Sequence, residues 1–328
     1  MKLGSSDISS VYLGTNAVQK VYLGTNEVWS AENPFQFTVD TTQSGVSASD
    51  QFKLPLITST GLDCVVDWGD GTTNNITSHT APEVTHTYAS SGTYTIKITG
   101  DLLGWQFANG GDKLKIGEIQ KWGALNISVN QGFHGCTNMT CTATDTPLIT
   151  TTSLFRYFYS CTNFNGAIGN WDVSNVTNME SMIQNASSFN QDISSWDVSN
   201  VTNMFRMFTS ATLFNQDIGN WDVSSVTSMY QMFYNTSFNQ DISNWDINQV
   251  STFLLFMSGA SLSTTNYDLL LVGWEATLQS AYPSGVGYPY TISISFGGSQ
   301  YTLGSAAETA RTSLINNFSW TITDGGGV

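Results

Sequence analysis

Carboxylates are the residues of this chain whose spacing could do chemistry. Asp172, Asp197, Asp222 and Asp246 recur at steps of 25, 25 and 24 residues, and Asp192, Asp217 and Asp241 form a second series. If copies of one unit stack at strand spacing, about 4.8 Å, each series becomes a row of like charges. Paired carboxylates about 5 Å or somewhat further apart can run glycoside hydrolysis. Any stacked Asp column supplies that distance, so the criterion discriminates poorly. Oxygen-rich rows with Asn and Ser nearby could instead hold Ca²⁺, but no acidic loop here has the ligand density of an established calcium motif. The favoured reading is structural: each carboxylate accepts backbone N–H groups in its own turn, which lowers its pKa. Asp70 is read in the same way. His79, His86 and His134 have no neighbouring Ser or Cys nucleophile motif, and no G-x-S-x-G, H-E-x-x-H or P-loop is present. Cys136 and Cys161 lie 25 residues apart, in the column that Ala186 and Ala211 occupy later. A bridge between them is sterically conceivable, although a small buried side chain explains the column better. Cys64 and Cys141 lack metal-ligand spacing. No catalytic residue, metal ligand or cofactor is assigned, and an enzyme is not expected.

The elements that must position these carboxylates are set by the tryptophans. Trp171, Trp196, Trp221 and Trp245 sit in near-copies of Phe-Asn-Gln-Asp-Ile-Gly-Asn-Trp-Asp-Val-Ser-Asn-Val-Thr-Asn-Met. A unit of about 25 residues cannot bury its own apolar face, so the copies must stack into a solenoid with a continuous core. Apolar identity persists by column. Phe164, Phe189, Phe214 and Phe238 form one, Ile168, Ile193, Ile218 and Ile242 another, and Met179, Met204, Met229 and Phe253 a third. Trp171 and Val173 alternate with Asp172 and Ser174, the pattern of a half-buried strand. The tryptophans are therefore read as core and not as sugar-stacking platforms. Val176, Met179 and Met182 follow at helical steps, which predicts one or two helical turns capped by Ser174 or Asn175.

These units resemble the BspA-like leucine-rich-repeat proteins, bacterial surface proteins whose repeats read F-N-x-D-I-x-x-W-D-V-S-x-V-T-x-M-x-x-M-F. The resemblance covers about 115–328, and it implies surface exposure and adhesion. Upstream, Asp67-Trp68-Gly69-Asp70-Gly71-Thr72, Thr85-His86-Thr87-Tyr88 and Gly92-Thr93-Tyr94-Thr95-Ile96 resemble a polycystic-kidney-disease-type (PKD) domain. That implies a small immunoglobulin-like β-sandwich used mainly as a spacer. At the start, Val11-Tyr12-Leu13-Gly14-Thr15-Asn16 returns as Val21-Tyr22-Leu23-Gly24-Thr25-Asn26. Gly-Thr-Asn between β-formers predicts small hairpins, and such tandem units resemble segments at the starts of bacteriophage structural proteins. Thirty residues of hairpin lack a core of their own, so they must dock on something else or oligomerise.

The fold expected is thus multidomain, mainly β plus α/β. Residues 1–32 are a hairpin-repeat anchoring segment, 33–101 the sandwich, and 102–328 the solenoid, capped at about 115–150 and 260–328. A net charge of −15, from 10 basic and 25 acidic residues, argues against nucleic acid or an anionic lipid surface as partner. The segment 164–258 carries eight acids against Arg206 alone. No apolar run approaches the length of a membrane span. Met1 to Ser10 has no apolar core of a secretory signal, although a bacterial surface protein should have one. Either the signal has been removed, or the protein leaves its host by lysis as part of a virus particle. The retained Met1 and the phage-like repeats favour the particle. The function expected is a non-enzymatic bacteriophage surface protein, anchored to other virion proteins through 1–30 and presenting a repeat face to a host receptor or glycan. Head fibre, decoration protein and tail fibre all fit. The alternatives are a secreted or cell-surface bacterial adhesin and a polysaccharide depolymerase. A homotrimer suits a fibre, but no heptad in the chain demands one. The nominal contact row is the outward series Asp172, Asp197, Asp222 and Asp246.

Overall fold

The computed structural model describes residues 33–328 throughout and, within 1–32, the backbone of short strands only. Those strands pair antiparallel: Lys2–Leu3 with Ser6–Asp7, Tyr12–Leu13 with Asn16–Ala17, and Lys20–Leu23 with Asn26–Ser30. The rest of the expected anchoring segment lies outside the described residues. The protein is mostly β. Among the described residues its α-helices are Thr264–Ala281 (α1) and Ala306–Asn316 (α2).

Phe35, Phe37 and Val39 alternate with Gln36, Thr38 and Asp40, so the strand Phe35–Asp40 buries one face. It pairs antiparallel with Thr93–Asp101, which pairs with Asp63–Asp67, which pairs with Thr73–Ile76. A smaller sheet joins Gln51–Lys53 to Thr85–Thr87 and completes a sandwich-like module. At the tight turn after Asp67, Gly69 has φ +80°, and a Cβ there would collide with the Thr95 carbonyl oxygen.

The large sheet does not stop at residue 101. Ile116–Lys121 pairs antiparallel with Phe35–Asp40 and, on its far side, parallel with Thr140–Cys141. One six-stranded sheet therefore crosses the boundary between the sandwich and the repeats. Trp105, Trp122 and Phe133 pack around Phe35, which merges the two cores. Asp112 and Lys115, both buried, tie the 46–51 loop to this junction. Asp112 accepts from the Val46, Ser47 and Lys53 amides, while the Lys115 ammonium donates to the Ser47, Ala48 and Gln51 carbonyls.

Beyond this junction the chain climbs in rungs of 24 or 25 residues, with Ser153, Asn178, Asn203, Ser228 and Thr252 joined by parallel bridges. The hydrogen bonds between rungs run through the stretch expected to be helical. In one rung the amides of Met179, Ser181, Ile183 and Asn185 donate to the carbonyls of Asn203, Phe205, Met207 and Thr209 in the next. Amides between them close tight turns, as in Met182 to Met179 and Gln184 to Ser181. The predicted helical turn is therefore absent. Its physical bar is the backbone: Ser181 and Asn185 have φ of 56° and 61°, and their counterparts in the other rungs are also left-handed, which no α-helix tolerates. Nor does Ser174 cap a helix; its hydroxyl donates to Asp172. The expected strand at 171–174 keeps its alternation, with Trp171 and Val173 buried and Asp172 exposed. It is not assigned as a strand, and neighbouring rungs are joined there by side chains, such as Ser195 to the Gly169 carbonyl and Asn200 to the Ser174 carbonyl.

The far end is closed by the two helices and the parallel pair Ser293–Ser295 and Thr321–Thr323. Ser263 caps α1 by accepting the Asn266 amide, and Ser305 caps α2 by accepting the Ala307 and Glu308 amides. The α1 backbone lies directly on the last rung, because a Cβ at Gly273 would strike the Ser243 carbonyl.

Candidate functional site

Each carboxylate of the nominal contact row sits in a turn of its own making. Asp172, Asp197 and Asp222 accept, through one oxygen, both the amide and the hydroxyl of Ser174, Ser199 and Ser224. Asp246 accepts the Asn248 amide and its side-chain N–H. Asp192, Asp217 and Asp241 take the amides of Ser194, Gly219 and Ser243. Hydrogen bonds from Ser174, Ser194 and Ser199 hold Asp172, Asp192 and Asp197 below the ordinary carboxylate value. Among the described residues no group of three or more His, Cys, Asp or Glu is placed to hold a metal ion.

The aromatic columns are interior. Trp171, Trp196, Trp221 and Trp245 are buried, as are Phe164, Phe189, Phe214 and Phe238. The Phe rings stack rung on rung at 6.0 to 6.1 Å. The indoles also carry hydrogen bonds between rungs. Nε1 of Trp196, Trp221 and Trp245 donates to the carbonyl of Ile168, Ile193 and Ile218, at 2.9 to 3.1 Å. Trp274 of α1 does the same to Ile242 at 3.0 Å, so the capping helix supplies the next indole of the series.

Three arrangements escape a reading based on apolar period. Asn165, Asn190, Asn215 and Asn239 follow the Phe column directly, and each Oδ1 accepts the amide at the matching position one rung on, ending at Ser263. Their recurrence in the repeat was the available signal. Ser59 Oγ lies 2.8 Å from His79 Nδ1 and also accepts the His79 amide. The pair staples two loops, and no carboxylate orients this imidazole among the described residues. Lastly, Arg156 and Arg206 lie against aromatic rings on the outer side of the turn ladder.

The thiols of Cys136 and Cys161 are free, and that of Cys161 donates to the Phe133 carbonyl at 3.0 Å in place of the conceivable bridge. Burial pushes both thiols well above their ordinary range. In the sandwich, His86 Nε2 lies 2.8 Å from Asp70 Oδ2 and stacks on Trp68. Desolvation raises the Asp70 carboxyl, but hydrogen bonds from Thr72 and His86 outweigh it and bring it to about 2. A cleft of about 360 Å³ on the sandwich sheet, between Gln36, Val65, Lys97 and Lys121, has Asp67 as its one carboxylate, so it offers no acid–base pair for glycoside hydrolysis.

Two family models match the chain. Residues 152–269 match a family described as Mycoplasma protein of unknown function, DUF285, and residues 23–102 match the PKD domain. The first fits a BspA-like surface protein, and the second fits the sandwich-like sheet. Together the two matches suggest a surface- or adhesin-like protein in which a PKD-type module precedes the repeats. No curated protein and no solved structure matches it. Among the described residues no helix is long and apolar enough to cross a membrane.

Proposed function

We propose that this chain is a non-enzymatic display protein whose stacked-rung solenoid presents an outer face to a host receptor or surface glycan. The observation that carries the reading is the filled interior: from Phe133 to Trp274 the core of the stack is lined by buried side chains packed rung on rung. Only the outside is left to meet a partner. The sandwich shares its sheet with the first rung and so holds the stack at a fixed attitude, as a rigid spacer would.

The finer form of the proposal places the protein on a bacteriophage particle, anchored to other virion proteins through residues 1–30, as a head fibre, decoration protein or tail fibre. The tandem Val-Tyr-Leu-Gly-Thr-Asn units support it. The rival favoured by the PKD and DUF285 matches is a cell-surface adhesin. Mass spectrometry of gradient-purified particles against host envelope fractions separates the two. Peptides in the particles are expected; peptides confined to the envelope overturn the virion form and leave the adhesin. Incubation with host capsule or lipopolysaccharide tests the absence of catalysis, since released oligosaccharides would establish a depolymerase.

A further inference from the structure

Arg156 and Arg206 are the only cationic side chains between Lys121 and Arg311, in a chain of net charge −15. Both fall in the same column, two rungs apart, on the outer side of the turn ladder. Each guanidinium lies against two aromatic rings: Arg156 at 4.9 Å from Phe155 and 5.3 Å from Tyr159, Arg206 at 4.9 Å from Phe205 and 5.3 Å from Tyr230. The Phe205 and Tyr230 rings stack at 4.7 Å across neighbouring rungs. All six side chains are half-buried, with part of each surface open to solvent. Among the described residues neither guanidinium has a carboxylate within salt-bridge distance; Arg206 Nε donates to Gln231 Oε1 at 2.6 Å, whereas Arg156 Nε is buried with no acceptor. Elsewhere this protein pairs such a group: Arg311 is bound by Asp324 at 2.7 Å.

A guanidinium backed by aromatic rings, its charge not neutralised by a carboxylate, is pre-organised to receive a planar anion through its two terminal nitrogens. Flanking rings offer apolar faces of the kind that sugar rings stack on. Two rungs measure about 10 Å at strand spacing, comparable to the length of a disaccharide. We propose that this stripe binds an acidic polysaccharide that carries one carboxylate on every second sugar, lying along the stack axis with successive carboxylates on Arg156 and Arg206. The stripe, and not the Asp172, Asp197, Asp222 and Asp246 row, is then the contact face. An acidic row repels a polyanion, whereas this column is where the repeats carry their positive charge; the one carboxylate within the stripe, Glu180 in the intervening rung, accepts the Asn203 side-chain N–H at 3.1 Å. The inference rests on the proposed display function and names the face and ligand class for it.

The test uses the full chain and an octasaccharide of hyaluronate, whose uronates alternate with neutral sugars. A neutral chitin oligosaccharide of equal length serves as control, and binding is read by calorimetry. Binding of the hyaluronate probe alone is expected, weakening as salt rises. R156Q and R206Q should each weaken it about tenfold, the scale of one lost charge-assisted hydrogen bond. D197N should leave it unchanged. Far-UV circular dichroism and melting of each variant establish that the stack is intact. Equal binding of the neutral probe, no binding of either, or intact R156Q and R206Q proteins that bind as the parent does would each overturn the inference. Adherence of the fluorescently labelled full chain to host cells separates this failure from that of the wider reading. Cells bound equally by parent and R156Q/R206Q protein retain display while rejecting the stripe, and cells bound by neither reject both.

Discussion

His134 shows how far its stacked surroundings can shift one side chain. Its imidazole is buried against Tyr159 at 4.7 Å, with Lys113 and Arg156 close enough to act on it. Burial disfavours the charged ring, and the two cations add to that, so its pKa falls from the ordinary 6.5 to about 4. The unfolded chain therefore binds a proton before the folded one does. Stability from this group is complete above pH 6.5 and is lost as pH falls through the interval down to about 4. Urea denaturation at pH 7.5, 5.5 and 4.5 should show the midpoint dropping over that interval. H134Q, which keeps a polar group and does not titrate, should flatten the dependence, while the stabilisation from Asp70, present above about pH 4 and lost only as pH falls towards about 2, stays in place. An unchanged slope in H134Q would assign the pH response elsewhere. None of this was legible in the sequence. A histidine between Phe133 and Gly135 gives no hint that Arg156, one rung on, will face it.

At the scale of the element, the rung is held by polar ladders as well as by its apolar columns. Asn215 Oδ1 accepts the Asn239 amide at 2.7 Å and the Gln240 side chain at 3.0 Å. N215A orphans the Asn239 amide, while Gln240 Nε2 keeps its bond to the Asn215 backbone carbonyl, and should cost about 1–3 kcal/mol. N215D keeps the accepting oxygen and should cost less. Chemical denaturation of both variants checks this, and equal losses would remove the ladder from the account. The sequence made the column structure legible because burial repeats every 24 or 25 residues: indoles, Phe rings and Met side chains fall where apolar identity persists. It misassigned the backbone of the same rung for an equally physical reason. Val176, Met179 and Met182 mimic a helical period, yet their carbonyls and amides are divided between tight turns and the next rung. The distinguishing signal lay in the left-handed column of Ser160, Asn185, Ser210, Asn235 and Gly259, residue types that tolerate positive φ and include no β-branched member. For the site, the Asp rows drew attention because charge repeats are conspicuous, while two arginines separated by Ser181 in the intervening rung are not.

For the whole molecule, sandwich and stack form one mechanical body, because the strand Ile116–Lys121 pairs with both and their aromatic cores are continuous. Stability in such an array is approximately a sum of rung terms and nearest-neighbour interfaces. Removing one whole rung deletes one of each and preserves every other contact in register. Deletion of residues 190–214 joins Phe189 to Asn215, so the Phe column, the Asn ladder and the indole series all close across the junction as before. The shortened protein should fold, with a far-UV spectrum per residue matching the parent, and melt in one transition at a lower temperature. Deletion of 190–201, half a rung, sets Trp and Asn positions against the wrong neighbours and should abolish cooperative melting. Removal of 264–328 should be worse than either. It takes away Trp274, the hydrogen-bond donor to Ile242, and uncovers Phe253 and Phe256, which pack on that indole. An open end of this kind exposes a paired-strand edge and an apolar cross-section together, so self-association in sedimentation velocity is the expected readout. If the half-rung deletion melts as cooperatively as the full-rung deletion, register between rungs does not govern this fold, and the stacked columns lose their role as its organising constraint.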